Sequence, residues 1–260
     1  MAFKKLLASL GAGGASVETV LTEVNVVPGG VVQGEVRIQG GSVNQNIEGL
    51  SVGLQARVEV EGGDQEYKQD VEFTKVRLGG AFELQAGAVH AVPFGLEIPW
   101  ETPVTVIDGQ ELRGMHIGVT TELQIARAVD SSDLDPIHVH PLPAQKALLD
   151  AFIQLGFRFK NADMERGHIR GTRQQLPFYQ EIEFYPPSQY RGLNQVEVSF
   201  VADDNAMDVV LEMDKKPGLF SEGSDTFRSF QVGLHDFHTT DWAAYLNQWL
   251  SEVGSKRNWF

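Results

Sequence analysis

The stretch that decides the fold is Leu50-Ser51-Val52-Gly53-Leu54-Gln55-Ala56-Arg57-Val58-Glu59-Val60. Leu50, Val52, Leu54, Ala56, Val58 and Val60 alternate with Ser51, Gly53, Gln55, Arg57 and Glu59. Successive side chains of an extended chain point to opposite faces, so this pattern predicts a strand with one face buried and one face wet. The same period appears on either side. Val32, Gly34, Val36 and Ile38 form one apolar row, Tyr67, Val71 and Phe73 another, and Val92, Phe94, Leu96 and Ile98 a third. Ile117, Val119, Thr121, Leu123 and Ile125 form a fourth. Between the rows stand Pro28-Gly29-Gly30, Gly40-Gly41, Gly62-Gly63-Asp64, Gly79-Gly80 and Asp108-Gly109. Glycine supplies positive φ and proline presets φ for a turn. Short alternating strands parted by such signals predict a β-sandwich of two antiparallel sheets.

Pro141-Leu142-Pro143 breaks the pattern. A helix is expected from about Ala144 to Leu155, with Leu148, Ala151, Phe152 and Leu155 on one face, Pro143 at its start and Gly156 at its stop. Strands resume at Leu176–Tyr185, then Gln195–Val201 and Asp208–Met213 as a hairpin around Asp203-Asp204-Asn205, then Ser229–Leu234. A last helix is expected over about Asp241–Val253, where Trp242, Tyr245, Leu246, Trp249, Leu250 and Val253 share a face. The expected organisation is two tandem antiparallel β-sandwiches: 1–141, a linker helix at 142–157, and 158–260 ending in a helix.

The 260 residues carry a net charge of −14, which argues against a general nucleic-acid binder. There is no cysteine, so disulfides, thiolate metal ligands and a cysteine nucleophile are excluded, and a reducing cytoplasm is the expected compartment. No apolar run reaches the ~18–20 residues that cross a bilayer. Lys4-Lys5 ahead of Leu6–Ala15 has the outline of a secretory signal, but Gly11, Gly13 and Gly14 interrupt its apolar core. The preferred reading is a short amphipathic helix. Phe3, Leu6, Leu7 and Leu10 fall at i, i+3, i+4, i+7 and offer one apolar face to the protein itself or to a partner.

The candidate chemistry is sparse. His235, Asp236 and His238 are ligand types that suit a divalent metal, but they lack the closed spacing of zinc sites. They read more simply as a loop in which Thr240 or Asp241 caps the last helix. His138 and His140 share a strand face and would need a third ligand from elsewhere. Asp203, Asp204, Asn205 and Asp208 lack the glycine and terminal glutamate of a calcium loop. Arg158, Lys160, Arg166, Arg170 and Arg173 form a basic stretch able to grip a phosphorylated or acidic partner, since arginine pairs bidentately with phosphate. The plainer reading pairs these cations with the chain's own carboxylates. No nucleophile-elbow, zinc-protease, P-loop or dinucleotide fingerprint is present, so no cofactor is expected.

One set of segments, taken in order, resembles a known family. It comprises Met1-Ala2-Phe3-Lys4-Lys5-Leu6-Leu7-Ala8-Ser9-Leu10-Gly11, Pro28-Gly29-Gly30, Val76-Arg77-Leu78, Pro93-Phe94, Pro99-Trp100, Thr102-Pro103 and Asp133-Leu134-Asp135. Leu155-Gly156-Phe157 and Arg173-Gln174-Gln175-Leu176-Pro177-Phe178-Tyr179-Gln180-Glu181-Ile182-Glu183-Phe184 complete it. Together they resemble the bacterial stage-zero sporulation-control protein M family, over residues up to about 215. The resemblance implies an arrestin-like pair of β-sandwiches. It also implies a cytoplasmic, non-enzymatic regulator or scaffold of sporulation and cell-cycle events that acts through other proteins. It carries over no chemical residue. The partners expected are proteins, with neither nucleic acid nor stable membrane insertion, and with room for a homo-oligomer. The rival reading is a metal-dependent hydrolase or a carbohydrate-binding β-sandwich.

Overall fold

The computed structural model describes residues 14–62, 65–126, 131–215 and 225–255. In chain order the strands are β1 (Ser16–Leu21), β2 (Asn25–Val26), β3 (Val31–Gln39), β4 (Gln45–Gly62), β5 (Gln65–Gly79), β6 (Phe82–Leu84), β7 (Val89–Glu97), β8 (Val106–Ile107) and β9 (Gln110–Glu111). They continue with β10 (Ile117–Ile125), β11 (Ser131–Pro136) and β12 (His138–Val139), then helix α1 (Pro143–Gln154). After it come β13 (Arg158–Arg166), β14 (Phe178–Tyr185), β15 (Leu193–Ala202), β16 (Ala206–Lys215), β17 (Asp225–Gly233), a 3-10 turn at Phe237–Thr239, and helix α2 (Trp242–Ser255). The described chain is thus mainly β with two helices.

Two compact units share the chain, and no single cut separates them. The first comprises Met1–Arg57, Gln69–Pro99 and His116–Val139; the second comprises Val58–Lys68, Trp100–Met115 and His140–Phe260. One junction, between Val139 and His140, lies beside the expected boundary at 141, and the second unit also takes in two earlier segments. The alternation of β4 runs unbroken through Arg57 and Val58, so nothing in the pattern marks the division there. Helix α1 lies within the stretch His140–Phe260 of the second unit.

In the first unit, β1, β3 and β7 form an antiparallel sheet with Val17 opposite Ile38 and Gly34 opposite Phe94. Val32, Val36 and Ile38 are buried, as the alternation requires. Gly34 is needed for close approach, since a Cβ there would lie 2.7 Å from the Val20 carbonyl oxygen and 2.9 Å from the Phe94 ring. The other sheet of this unit runs β11-β10-β4, with β5 and β6 also paired to β4. The hydroxyls of Thr19 on β1 and Thr121 on β10 meet at 2.5 Å and satisfy each other away from water.

Strand β4 departs from its expected wet face. Ser51, Gly49 and Gly53 are buried along with the apolar row. A Cβ on Gly53 would sit 2.5 Å from the Thr74 carbonyl oxygen of β5, so backbone covers this face. Gly53→Val is expected to cost about 1–3 kcal/mol, the usual range for overpacking, read as a lower urea midpoint at unchanged slope. The row predicted on β5 is the reverse case: Tyr67 is exposed and Val71 and Phe73 are only half-buried.

In the second unit, β13, β14, β15, β16 and β17 follow one another as antiparallel neighbours, and Glu165 of β13 pairs with Glu59 at the outer end of β4. The β15–β16 hairpin turns at Asp203, whose carboxylate accepts the N–H groups of Asn205 and Ala206, both at 2.8 Å. Helix α1 starts at Pro143, and the buried Gln145 side chain accepts the Leu142 N–H at 2.8 Å. Its end is a Schellman turn: Gly156 takes φ +88°, Phe157 N–H bonds the Phe152 carbonyl and Gly156 N–H the Ile153 carbonyl. Leu148 and Phe152 of α1 are fully buried, with Phe152 stacked on Phe184 at 5.1 Å and edge-on to Phe157 at 5.2 Å. Asp241 caps α2 by accepting the Ala244 N–H at 3.0 Å. Trp242, Tyr245 and Trp249 gather around Phe230 at 6.0, 5.1 and 5.1 Å, so these aromatics pack against β17.

Candidate functional site

The basic stretch is divided by its own strand. Arg158 and Arg166 stand at opposite ends of β13, which at ~3.3 Å per residue puts their backbones about 25 Å apart. Lys160 is held by Glu183, and its ammonium also donates to Gln195 at 2.6 Å. Arg173 is paired with Asp203 and reaches Asp208 at 3.1 Å through Nε. These two cations are engaged within the second unit, as the plainer reading expected. Arg158 and Arg170 are exposed and form no ion pair with a described residue. The surface that remains for a partner is therefore narrower than the five-residue run.

The segment around Arg173 is built from side-chain to backbone bonds. Gln174 donates through Nε2 to the carbonyls of Gly167 and Leu176, both at 2.7 Å, and its Oε1 accepts the Ile169 N–H at 2.8 Å. Glu101 accepts the N–H groups of Gln175 (2.9 Å) and Leu176 (2.9 Å). Gln180 donates to the Val104 carbonyl at 2.7 Å and accepts the Val104 N–H at 2.9 Å. The run Arg173–Gln180 thus fixes a loop and ties β14 to the 100–115 segment of the same unit.

Phe3, Leu6, Leu7 and Leu10 lie outside the described residues. His235, Asp236 and His238 are exposed around the 3-10 turn. Asp236 uses its backbone carbonyl to accept from Thr239, and His238 packs edge-on against Phe237. The three do not converge with a further acidic or histidine ligand among the described residues.

A different set of ionisable side chains does converge, and the sequence reading missed it. One carboxylate oxygen each of Glu181, Glu197 and Glu212 lies within 4.8 Å of the others. The strand register explains this. Glu197 faces Glu183 on β14 and Glu212 on β16, while Asp163 of β13 faces Glu181. Four adjacent strands thus bring acidic residues to one face. Burial and the nearby charges of Glu197, Asp163 and Glu212 push the Glu181 carboxyl up to about 8. Burial, followed by Glu183 and Glu165, pushes Asp163 up to about 7. Burial also raises the Tyr179 phenol. Asp163, Glu197 and Glu212 each stand between apolar neighbours in their own strands, and Glu181 stands between Gln180 and Ile182, but only the register sets the four side by side.

Comparison with known proteins gives a consistent result. The SpoOM protein family profile matches residues 3–217. The sporulation-control protein Spo0M of Bacillus subtilis (strain 168) is 36% identical over 216 residues, 82% of this chain and 81% of that protein. The crystal structure of Spo0M, sporulation control protein, from Bacillus subtilis aligns with a TM-score of 0.80 at 28% identity. That alignment covers 93% of this chain and 99% of the other.

Proposed function

The chain belongs to the SpoOM protein family, and on that premise we propose that it is a sporulation-control-type regulator that works through contacts with other proteins and converts no substrate. The observation that carries this reading is the 36% identity to a sporulation-control protein across four-fifths of both chains. The finer architecture we propose is a tandem of arrestin-like β-sandwiches. The buried Thr19–Thr121 pair, which links two sheets of the first unit, supports that packing there. Among the described strands β17 pairs on one side only, and Phe227 on it is 62% exposed. A peptide strand added to such an edge gains backbone hydrogen bonds, with alternate side-chain sites giving selectivity.

The proposed contact residues are Phe3, Leu6, Leu7 and Leu10, and the exposed cations Arg158 and Arg166, at opposite ends of β13, with Arg170 beyond it. No helix among the described residues is long and apolar enough to cross a membrane. Affinity capture from cells tests the reading with three baits: the unaltered chain, a Leu6, Leu7 and Leu10 to Ser variant, and Arg158→Glu with Arg170→Glu. The expected result is a defined partner whose recovery falls at least several-fold with one of the variants. Equal recovery by all three would remove both surfaces from the account. Arg173 is left unchanged because its pairing with Asp203 and Asp208 makes it part of the fold.

A further inference from the structure

We propose that the acidic row across β13–β16 is a proton-binding cluster, in which Glu181 shares a proton with Glu197 and Glu212 and Asp163 shares one with Glu183, so that alkalinisation loosens the second unit. The geometry requires some such relief. Three carboxylate oxygens lie within 4.8 Å of one another, and like charges this close cannot all ionise cheaply. Asp163 Oδ1 is buried without a hydrogen-bond donor, while Oδ2 accepts only from Asn161 Nδ2 at 3.1 Å. A carboxylate among carboxylates has no donor to offer its neighbour; a carboxylic acid does. One proton therefore removes a charge and satisfies an orphaned oxygen together.

The groups around Glu181 come from every neighbouring strand. Asp163 and Glu165 face it from β13, Tyr179 and Glu183 lie on its own strand, and Glu197 and Glu212 stand on β15 and β16. Glu59 adds to the field at Asp163. Among the described residues two cations stand nearby: Lys160, held by Glu183 and also attracted by Glu197, and Lys68, paired with Glu59 at 2.6 Å. These pairs leave Glu181 flanked by acids. The sign of the linkage follows. The folded chain keeps protons that an unfolded carboxyl releases above its ordinary range. The stabilisation is complete below that range and is lost as pH rises through about 7 for Asp163 and about 8 for Glu181.

The test is thermal unfolding of the full chain from about pH 5 to 9 in the presence of a chelator. It compares the unaltered protein with Glu181→Gln and Asp163→Asn, near-isosteric and uncharged at every pH. The unaltered midpoint is expected to fall by several degrees toward pH 9. Both variants are expected to lose part of that slope and to be the more stable at pH 9. Infrared spectroscopy in heavy water gives a second readout: a protonated-carboxyl band at neutral pD, diminished in Glu181→Gln. Parallel pH profiles for all three proteins, or no protonated-carboxyl band, would overturn the proposal. So would a midpoint that millimolar calcium raises at pH 9 in the unaltered chain and not in Glu181→Gln, because the cluster would then hold a cation rather than protons.

Discussion

Replacing Phe152 by alanine is expected to lower the free energy of unfolding by about 3–5 kcal/mol, the range for deleting a large buried aromatic. Phe152 is fully buried, stacked on Phe184 of β14 and edge-on to Phe157 just past the helix. Its backbone carbonyl also receives the Phe157 N–H that closes α1. The aromatic pairs add to the area term, since offset and edge-on rings each contribute beyond burial. Urea unfolding of Phe152→Ala and Phe152→Leu separates the parts. Leucine keeps most of the volume and should recover roughly half of the loss. A loss under about 1 kcal/mol for alanine would mean that α1 docks weakly, and would return it to the role of a linker.

Gln180 carries the second large effect through hydrogen bonds. It is almost wholly buried, and its amide pairs with both backbone groups of Val104, itself fully buried. Gln180→Ala leaves a buried N–H and a buried carbonyl without partners, which is expected to cost about 2–4 kcal/mol. Gln180→Met keeps the side-chain volume and tests the cause. If the bonds matter, Met is expected to lose nearly as much as Ala. A stable Met variant would show that packing, not the paired amide, ties β14 to Val104.

Part of the first unit is legible in the sequence because some of its strands show period two by themselves. The run Val32–Ile38 and the run Ile117–Ile125 bury the residues that alternation selects. Helix α1 is legible for local reasons too, with Pro143 at its start and Gly156 taking positive φ at its end. The same locality explains what is not legible. The unit boundary inside β4 leaves no mark, because a strand can serve two units without changing period. Nothing within Asn161–Arg166, Phe178–Tyr185, Gln195–Ser199 or Val209–Asp214 says that their carboxylates meet. That depends on register between strands up to about fifty residues apart in the chain. The basic stretch is spread out for the opposite reason: Arg158 and Arg166, near in sequence, stand at the two ends of one extended strand. The run Arg173–Phe184, one of the segments that together carry the resemblance, is a loop leading into β14, held by bonds from Gln174 and Gln180 and from Glu101 outside the run.

The central claim, action through protein contact, is tested most directly by photo-crosslinking in living cells from single positions. A photoreactive residue at Arg170 is compared with one at Val43, an exposed site in the first unit that no proposed surface includes. The account predicts discrete adducts with a defined protein from position 170 and none of these from position 43. Indistinguishable, diffuse labelling from both positions would contradict it.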